Sequence, residues 1–354
     1  MLQKIRLIRS IKFCIVLICV TVSGFLYTGC SSSDTAAGRQ HADAHSPLPG
    51  FKTIQFFDEQ QLVLNLGRGV TATINAPSAE AFDPSAKVML ILFPLPNGNT
   101  TDQTIGGKMY QDDDFHFDIQ HIGAQTRFLR SVIKDANIVT AYLENTEKSW
   151  PAWRKKYPDH PQLISDIIDS VRLVFEKFDT GIALNGHSGG GSFIFGYLNG
   201  KERIPGFIER IGFLDSDYAY DDSLKHGEKI AEWLSSSPDK HLCVLAYNDS
   251  IALYNGKPVV SATGGTWYRS KLMKNRLADF FKFNTEFREN CTLYQAVSGR
   301  VKFFFLENPE RKILHTRQVE LNGFIESILS GTPLEESGYK YYGSRAYNDY
   351  IQDK

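Results

Sequence analysis

Six apolar runs, separated by segments with helical spacing, constrain the fold of this 354-residue chain more than any other feature. The runs are Val88–Phe93, Ile138–Leu143, Gly181–Asn185, Ile211–Leu214, Leu242–Tyr247 and Val301–Leu306. Continuous apolar strands are typical of parallel sheets that are covered on both faces. Strands that alternate with helices therefore predict an α/β fold, with a mostly parallel central sheet and helices on both faces.

The regions around this core are predicted from shorter patterns. Helices are expected near 124–136, 163–178, 191–200, 223–235, 269–282 and 318–329. Residues 52–57 and 61–66 look like a hairpin, and Val70–Ala76 alternates apolar and polar side chains. We expect these segments to add antiparallel strands at the N-terminal edge of the sheet. The tyrosine-rich tail after Gly331 is expected to pack on the surface as a strap.

The N-terminus has the pattern of an export signal. Four basic residues within positions 1–12 precede an apolar stretch, Phe13–Leu26, that is too short to span a membrane comfortably. Leu26-Tyr27-Thr28-Gly29-Cys30 resembles a bacterial lipobox, which implies lipidation of Cys30. The expected domains are a signal peptide at 1–29, a flexible tether at 30–50 and a folded domain at 51–354. An ordinary signal peptide and an uncleaved anchor are the alternatives. The lipidated form implies a location in the bacterial cell envelope, attached to the membrane through the lipid.

Charge and cysteine content exclude some functions. The formal net charge is −1, and it becomes −5 without residues 1–29, which hold four basic and no acidic side chains. A mildly acidic protein gives no electrostatic reason to expect nucleic-acid binding. Cys243 and Cys291 remain after export, and whether they pair is left open. No zinc-binding spacing is present, and neither a metal nor a cofactor is expected.

The segment Gly186-His187-Ser188-Gly189-Gly190-Gly191 directly follows one of the apolar runs and matches G-x-S-x-G. The motif alone is weak, but here it lies between a predicted strand and a predicted helix. A sharp strand-to-helix turn exposes the serine of one large class of hydrolases. Ser188 is therefore the candidate nucleophile; a plain glycine turn and a phosphate cradle are the alternatives.

A serine needs a base to accept its proton, and an acid to orient that base. Of the histidines after Ser188, His226 lies in a charged helical segment and His241 begins a strand. His315 follows the last strand and precedes the last helix, so it is the candidate base. Two acids compete in this pattern, Asp215 and Asp249.

Each of these acids directly follows an apolar strand, and Asp217 is a third alternative. We place Asp215 first and keep Asp249 as the alternative acid.

The tetrahedral intermediate of such a reaction also needs hydrogen-bond donors for its oxyanion. The main-chain amide of Gly189 is one candidate. The loop after the first central strand is expected to supply the other. Gly98 lets its backbone approach closely, and the side chains of Asn97 and Asn99 can donate, although Pro-Asn-Gly is also ordinary turn chemistry. Trp150 and Trp153 follow the next strand, and they either line a substrate pocket or anchor a loop by burial.

The strand order, the elbow and the Ser–Asp–His order together resemble the α/β-hydrolase superfamily over about residues 85–330. The segments LPNGNT and SWPAW resemble uncharacterised exported bacterial hydrolase-like proteins. The resemblance implies a serine hydrolase, most simply an esterase that acts on a small-molecule or glycan ester through an acyl-enzyme. A peptidase or acyltransferase with the same triad is one alternative. A catalytically inactive binding lipoprotein is the other.

Overall fold

The apolar runs form the central strands of one large sheet. The computed structural model describes residues 46–353. The predicted signal peptide at 1–29, Cys30 and most of the predicted tether lie outside the described residues and stay predictions. Within the described range, no helix is both long and apolar enough to cross a membrane.

Thirteen strands occur within residues 46–353. They are β1 (Lys52–Thr53), β2 (Gln60–Asn65), β3 (Val70–Ala76), β4 (Lys87–Pro94), β5 (Ala136–Asn145), β6 (Thr180–His187), β7 (Ile208–Leu214), β8 (His241–Tyr247), β9 (Leu253–Tyr254), β10 (Lys257–Pro258), β11 (Asn284–Arg288), β12 (Cys291–Ala296) and β13 (Val301–Leu306). Eleven strands share one sheet in the order β1-β2-β3-β5-β4-β6-β7-β8-β13-β12-β11, and β9 pairs with β10 separately.

The middle of the sheet is parallel, as predicted. Strands β5, β4, β6, β7, β8 and β13 lie side by side in parallel register. The carboxyl ends of parallel strands lie along one edge, which is where open α/β sheets bind ligands. Asn97, Ser188, Asp215, Asp249 and His315 all follow strands of this parallel group. The topology therefore gathers every candidate catalytic residue at one rim.

The antiparallel strands predicted at the N-terminal edge are present, and the opposite edge, which the sequence did not predict, is antiparallel as well. Strands β1–β3 form the expected extension, and β11 and β12 form a second one beside β13. Strand β12 buries Cys291 and Leu293 but half-exposes Thr292 and Tyr294. Strand β11 is almost entirely exposed. Neither strand has the continuous apolar run that marks the parallel strands.

Helices cover both faces of the sheet. They are α1 (Thr101–Ile105), α2 (Ile122–Val132), α3 (Trp150–Lys156), α4 (His160–Leu173), α5 (Gly190–Asn199), α6 (His226–Ser236), α7 (Thr266–Leu277) and α8 (Phe324–Leu329). One core layer contains Ile168 of α4 and Phe193 of α5, and the other contains Leu129 of α2 and Phe324 of α8. Short 3-10 turns lie at Phe115–Asp118, Asp222–Leu224, Asp249–Ile251, Val297–Gly299 and Asn348–Tyr350.

The last helix is not the continuous helix predicted over 318–329. Residues Val319–Gly323 form a π-helical turn, and only Phe324–Leu329 is α-helical. Asn322 has φ 68°, which interrupts the helix, and its side-chain amide donates to the carbonyls of Lys340 and Ser344 in the tail. The tail thus ties down the segment that leads out of the His315 loop.

The two cysteines of the described residues do not pair. Cys243 and Cys291 are both buried and both free. Burial raises the pKa of the Cys291 thiol to about 12, so this thiol is un-ionised at neutral pH. Both thiols therefore behave as small apolar groups of the core.

Candidate active site

Strand β6 delivers Ser188 to the rim, and helix α5 begins two residues later. Ser188 has φ 53°, in the left-handed region that non-glycine residues rarely adopt. The Ser188 amide donates to the carbonyl of Leu214 at 3.4 Å, and the Ser188 carbonyl accepts from Gly191 at 3.2 Å. This is the strained turn that projects a serine above a sheet.

The glycines of the elbow are required for space. A Cβ on Gly189 would collide with the Asn97 side chain. A Cβ on Gly191 would collide with the main chain of Ser216, the residue after Asp215. The elbow is therefore pressed between the loop that carries Asn97 and the turn that carries Asp215.

Two main-chain amides beside Ser188 are unused. Within residues 46–353, neither the amide of buried Gly189 nor that of Asn97 donates a hydrogen bond. Gly98 differs, because its amide donates to the Lys148 carbonyl at 2.8 Å. The Gly98 amide is therefore already engaged, whereas that of Asn97 is not. Gly98, at φ 83°, shapes the turn that holds Asn97 against Gly189.

His315 lies on the loop after β13 and is hydrogen-bonded to Asp215. Nδ1 of His315 is 2.5 Å from Oδ2 of Asp215. An ionised carboxylate only accepts hydrogen bonds, so the proton of the neutral imidazole lies on Nδ1. Neither Nε2 of His315 nor the Ser188 hydroxyl makes a hydrogen bond within residues 46–353. The Nε2 lone pair is thus left to accept a proton.

The surroundings of Asp215 fix its carboxylate. Asp215 directly follows β7, has φ 50° and is fully buried. Its amide donates to the Leu245 carbonyl at 2.8 Å. Its second carboxylate oxygen, Oδ1, accepts a hydrogen bond from the Thr266 hydroxyl. Both oxygens therefore have donors, as a buried carboxylate requires.

The other two candidate acids bind elsewhere. Oδ2 of Asp249 accepts from the Thr266 amide at 2.8 Å, at the start of α7. The Thr266 hydroxyl oxygen is 3.3 Å from the same Oδ2, but its one proton lies on the shorter bond to Asp215. Burial, followed by the charge of Asp215, raises the pKa of Asp249 to about 6. Asp217 accepts from the Ser270 hydroxyl at 2.8 Å, and burial raises its pKa well above its ordinary value. The hydrogen bonds of Asp249 and Asp217 thus go to α7, whereas Asp215 binds His315.

A second histidine, His187, also contacts His315. His187 is buried, and its Nε2 lies 3.2 Å from the main-chain carbonyl of His315. The two imidazole rings are 4.5 Å apart. Nδ1 of His187 lies 3.0 Å from the Gln120 amide nitrogen. Burial, followed by the nearby His315, holds the pKa of His187 well below its ordinary value.

Sequence reasoning treated His187 only as the variable position of the motif. The one available signal was the cluster of polar residues at the start of α2, where Gln120, Gln125 and Thr126 are all buried.

A cavity of about 390 Å³ opens beside Ser188. Its lining is mostly small side chains: Asn97, Pro151, Ser188, Gly189, Ser192, Ser216, Tyr218 and Ala219. Trp150 and Trp153 flank Pro151 but are fully buried, with Trp150 against the ring of Phe193 at 4.7 Å. Of the two alternatives for the tryptophans, burial as a loop anchor is therefore the one observed.

The rim carries hydroxyl, imidazole and carboxylate groups rather than a metal site. No group of three or more His, Cys, Asp and Glu side chains in the described part of the chain is arranged to hold a metal ion.

No protein-family model matches this sequence, and no curated protein matches it significantly. Among the solved structures that resemble this chain are esterases and hydrolases of low sequence identity. A thermostable esterase is 14% identical, with a TM-score of 0.44, over 79% of this chain and 62% of that chain. The siderophore hydrolase EstB from Aspergillus nidulans is 13% identical, with a TM-score of 0.41, over 78% and 95% of the two chains. A protein named FAE is 12% identical, with a TM-score of 0.42, over 85% and 95%. These likenesses assign no role to any residue.

Proposed function

We propose that this protein is a serine hydrolase that cleaves carboxylic esters through an acyl-enzyme. Ser188 is the nucleophile, His315 the general base and Asp215 the acid that orients it. The amides of Gly189 and Asn97 stabilise the oxyanion. The observation that carries the proposal is the 2.5 Å hydrogen bond between His315 and Asp215, at the same rim as the strained Ser188 turn.

The proximity of Ser188 to this pair is supported by three contacts. The Ser188 amide binds the carbonyl of Leu214, the residue before Asp215. His187, the residue before Ser188, touches His315. Tyr218 lines the cavity beside Ser188, and its ring centroid lies 6.2 Å from that of His315. Catalytic hydrogen bonds are often long in unliganded sites, so free Ser188 and Nε2 groups are compatible with the role.

The proposed reaction uses these groups in sequence. Ser188 Oγ attacks the ester carbonyl while Nε2 of His315 takes its proton, and Asp215 stabilises the imidazolium. The Gly189 and Asn97 amides donate to the oxyanion of the tetrahedral intermediate. The carbon–oxygen bond to the alcohol then breaks, and His315 returns the proton to the departing alcohol. Water repeats the cycle on the acyl-enzyme and releases the acid and free Ser188.

A fluorophosphonate probe tests the proposal, because it reacts covalently with activated serines. We expect the wild-type protein to be labelled at Ser188, as located by peptide mass spectrometry. The Ser188→Ala variant should lose the label, and its ester hydrolysis should fall by about 10⁶-fold. Ser192→Ala, which removes the hydroxyl that α5 contributes to the cavity, should still carry the label on Ser188.

Folded wild-type protein that resists the probe, or a Ser188→Ala variant that is labelled as strongly as the parent, would overturn the proposal. Parallel assays with ester and amide panels distinguish an esterase from a peptidase.

A further inference from the structure

The loop that carries His315 has few attachments of its own. It runs from β13 to the π-helical turn, and residues 309–313 within it are exposed. Asn308, which is buried, holds the start of the loop by donating to the carbonyls of Asn248 and Lys312. Arg311 attaches the loop a second time, because its side chain donates to the Ile251 carbonyl and its own carbonyl accepts from the Leu253 amide, both at 3.0 Å. Past Arg311, the position of the imidazole depends on contacts made by other elements.

Three buried polar side chains from outside the loop supply those contacts. His187 binds the His315 carbonyl at 3.2 Å, and Gln120 binds His187 at 3.0 Å. The Gln125 side chain donates to the carbonyls of Gln120, at 2.9 Å, and Val319, at 3.0 Å. Its oxygen accepts from the Ile325 amide at 3.3 Å. All three side chains are at most 1% exposed.

We propose that Gln120, Gln125 and His187 form a clamp that positions the His315 imidazole for catalysis, with His187 as its central member. This proposal rests on the proposed function. The clamp holds the His315 segment from two sides, at residue 315 itself and at the π-helical turn that follows. His187 is a positioning residue, since it acts on substrate only through His315.

The hydrogen-bond directions in the clamp are fixed by chemistry. A carbonyl oxygen only accepts, so His187 donates to His315 through a protonated Nε2. Nδ1 of His187 then carries a lone pair and accepts from the Gln120 amide nitrogen. Gln120 thus selects the tautomer of His187 that can bind His315, as partners of a histidine commonly do.

The uncharged state of His187 also matters for the reaction. His315 becomes positively charged when it takes the serine proton, and the His187 ring lies 4.5 Å from it. A second positive charge at that distance would oppose proton transfer. Burial disfavours the charged form of His187. His187 therefore contacts His315 without competing with it for the serine proton.

Substitutions of His187 test the clamp. Gln places its amide nitrogen as many bonds from Cβ as Nε2 of histidine, so His187→Gln keeps the donor to His315. His187→Asn mimics Nδ1 instead, and His187→Phe fills the space without hydrogen bonds. We expect the Phe and Asn variants to lower kcat by about 10- to 100-fold with little change in KM, since misplacing a catalytic group by about 1 Å costs up to about 100-fold. The Gln variant should recover most of that loss.

The matched control is His226→Phe. His226 is equally buried and bonded on both nitrogens, to Asn199 and to the Asp221 amide. The His226→Phe variant should lower the melting temperature as His187→Phe does, but it should keep kcat within a few-fold of wild type. If His187→Phe does not fold, the comparison of the Gln and Asn variants decides.

Equal kcat in the Gln and Asn variants, or wild-type kcat in the Phe variant, would overturn the clamp. Labelling of Ser188 in the wild-type protein separates this outcome from failure of the proposed function. If Ser188 of the wild-type protein is labelled but the His187 variants all keep the wild-type kcat, the clamp is wrong and the proposed function is unaffected.

Discussion

The turns after β7 and β8 carry the same type of residue in the same setting, yet their carboxylates bind different partners. Asp215 and Asp249 each follow a buried strand of the parallel sheet, and each is at most 2% exposed. Asp215 binds an imidazole, whereas Asp249 binds the first amide of helix α7. The sheet therefore places both acids at the rim, but the element facing each turn decides what its carboxylate can do.

Thr266 lies between the two acids and links them. Its hydroxyl donates to Asp215, and its amide donates to Asp249. A negative charge at a helix N-terminus is favourable, which suits Asp249 to a capping position. Its Oδ1 nevertheless has no partner among the described residues. Asp249 is thus a poorly compensated carboxylate that supports a neighbour, while Asp215 is fully paired.

The strongest test of this difference between Asp215 and Asp249 is to replace each carboxylate in turn by an uncharged amide. Asp215→Asn keeps the shape but leaves an amide opposite His315, which favours the wrong imidazole tautomer; we expect about a 10⁴-fold loss of kcat. Asp249→Asn keeps an oxygen acceptor for the Thr266 amide and should cost less than about 10-fold. Rates of ester hydrolysis and of fluorophosphonate labelling measure both. A larger loss in the Asp249 variant would reverse the assignment of the acid.

Much of this rim is predictable from sequence because its signals are local. The parallel strands are recognisable as apolar runs, and the β6–α5 elbow is recognisable by its glycines. His315 follows from its place after the last parallel strand. These features need only strand order and the rule that parallel strands end along one edge.

The remaining features depend on contacts between distant segments, which no local pattern encodes. The choice between Asp215 and Asp249 is made by Thr266 and His315, which lie 51 and 100 residues beyond Asp215. The hydrogen bond from the Gly98 amide to the Lys148 carbonyl, which leaves only the neighbouring Asn97 amide unengaged, joins residues 50 positions apart. The edge strands β11 and β12 escape prediction because half-exposed strands carry weak hydrophobic periodicity.

The free energy of unfolding should also depend on pH through Asp249. The pKa of Asp249 is raised to about 6 from an ordinary value of 3.8, so the folded state binds its proton more tightly than the unfolded state does. Stability from this group is then present at low pH and is lost as pH rises from about 4 to about 6. A difference of about 2 pKa units corresponds to about 3 kcal/mol.

Asp249→Asn removes this titration and gives the test. The free energy of unfolding of the variant, measured by urea denaturation, should increase relative to that of the wild-type protein by up to about 3 kcal/mol between pH 4 and pH 7. The control variant Ser250→Ala, at the exposed position next to Asp249, changes no titratable group and should keep the pH trend of the wild-type protein. A flat difference between Asp249→Asn and wild type would mean that Asp249 ionises as an ordinary carboxyl.

A much smaller loss than that of Asp215→Asn is expected from changing Thr266, the residue that joins the two turns. Thr266→Val removes only the hydroxyl, so Asp249 keeps its bond from the residue 266 amide, whereas Oδ1 of Asp215 loses its donor. A buried carboxylate oxygen without a partner orients His315 less firmly, and we expect kcat to fall by about 10-fold, or about 1.4 kcal/mol. Thr266→Ser keeps the hydroxyl and should retain most of the wild-type kcat. If the Ser and Val variants lose equal activity, packing of α7 rather than hydrogen bonding to Asp215 accounts for the role of residue 266.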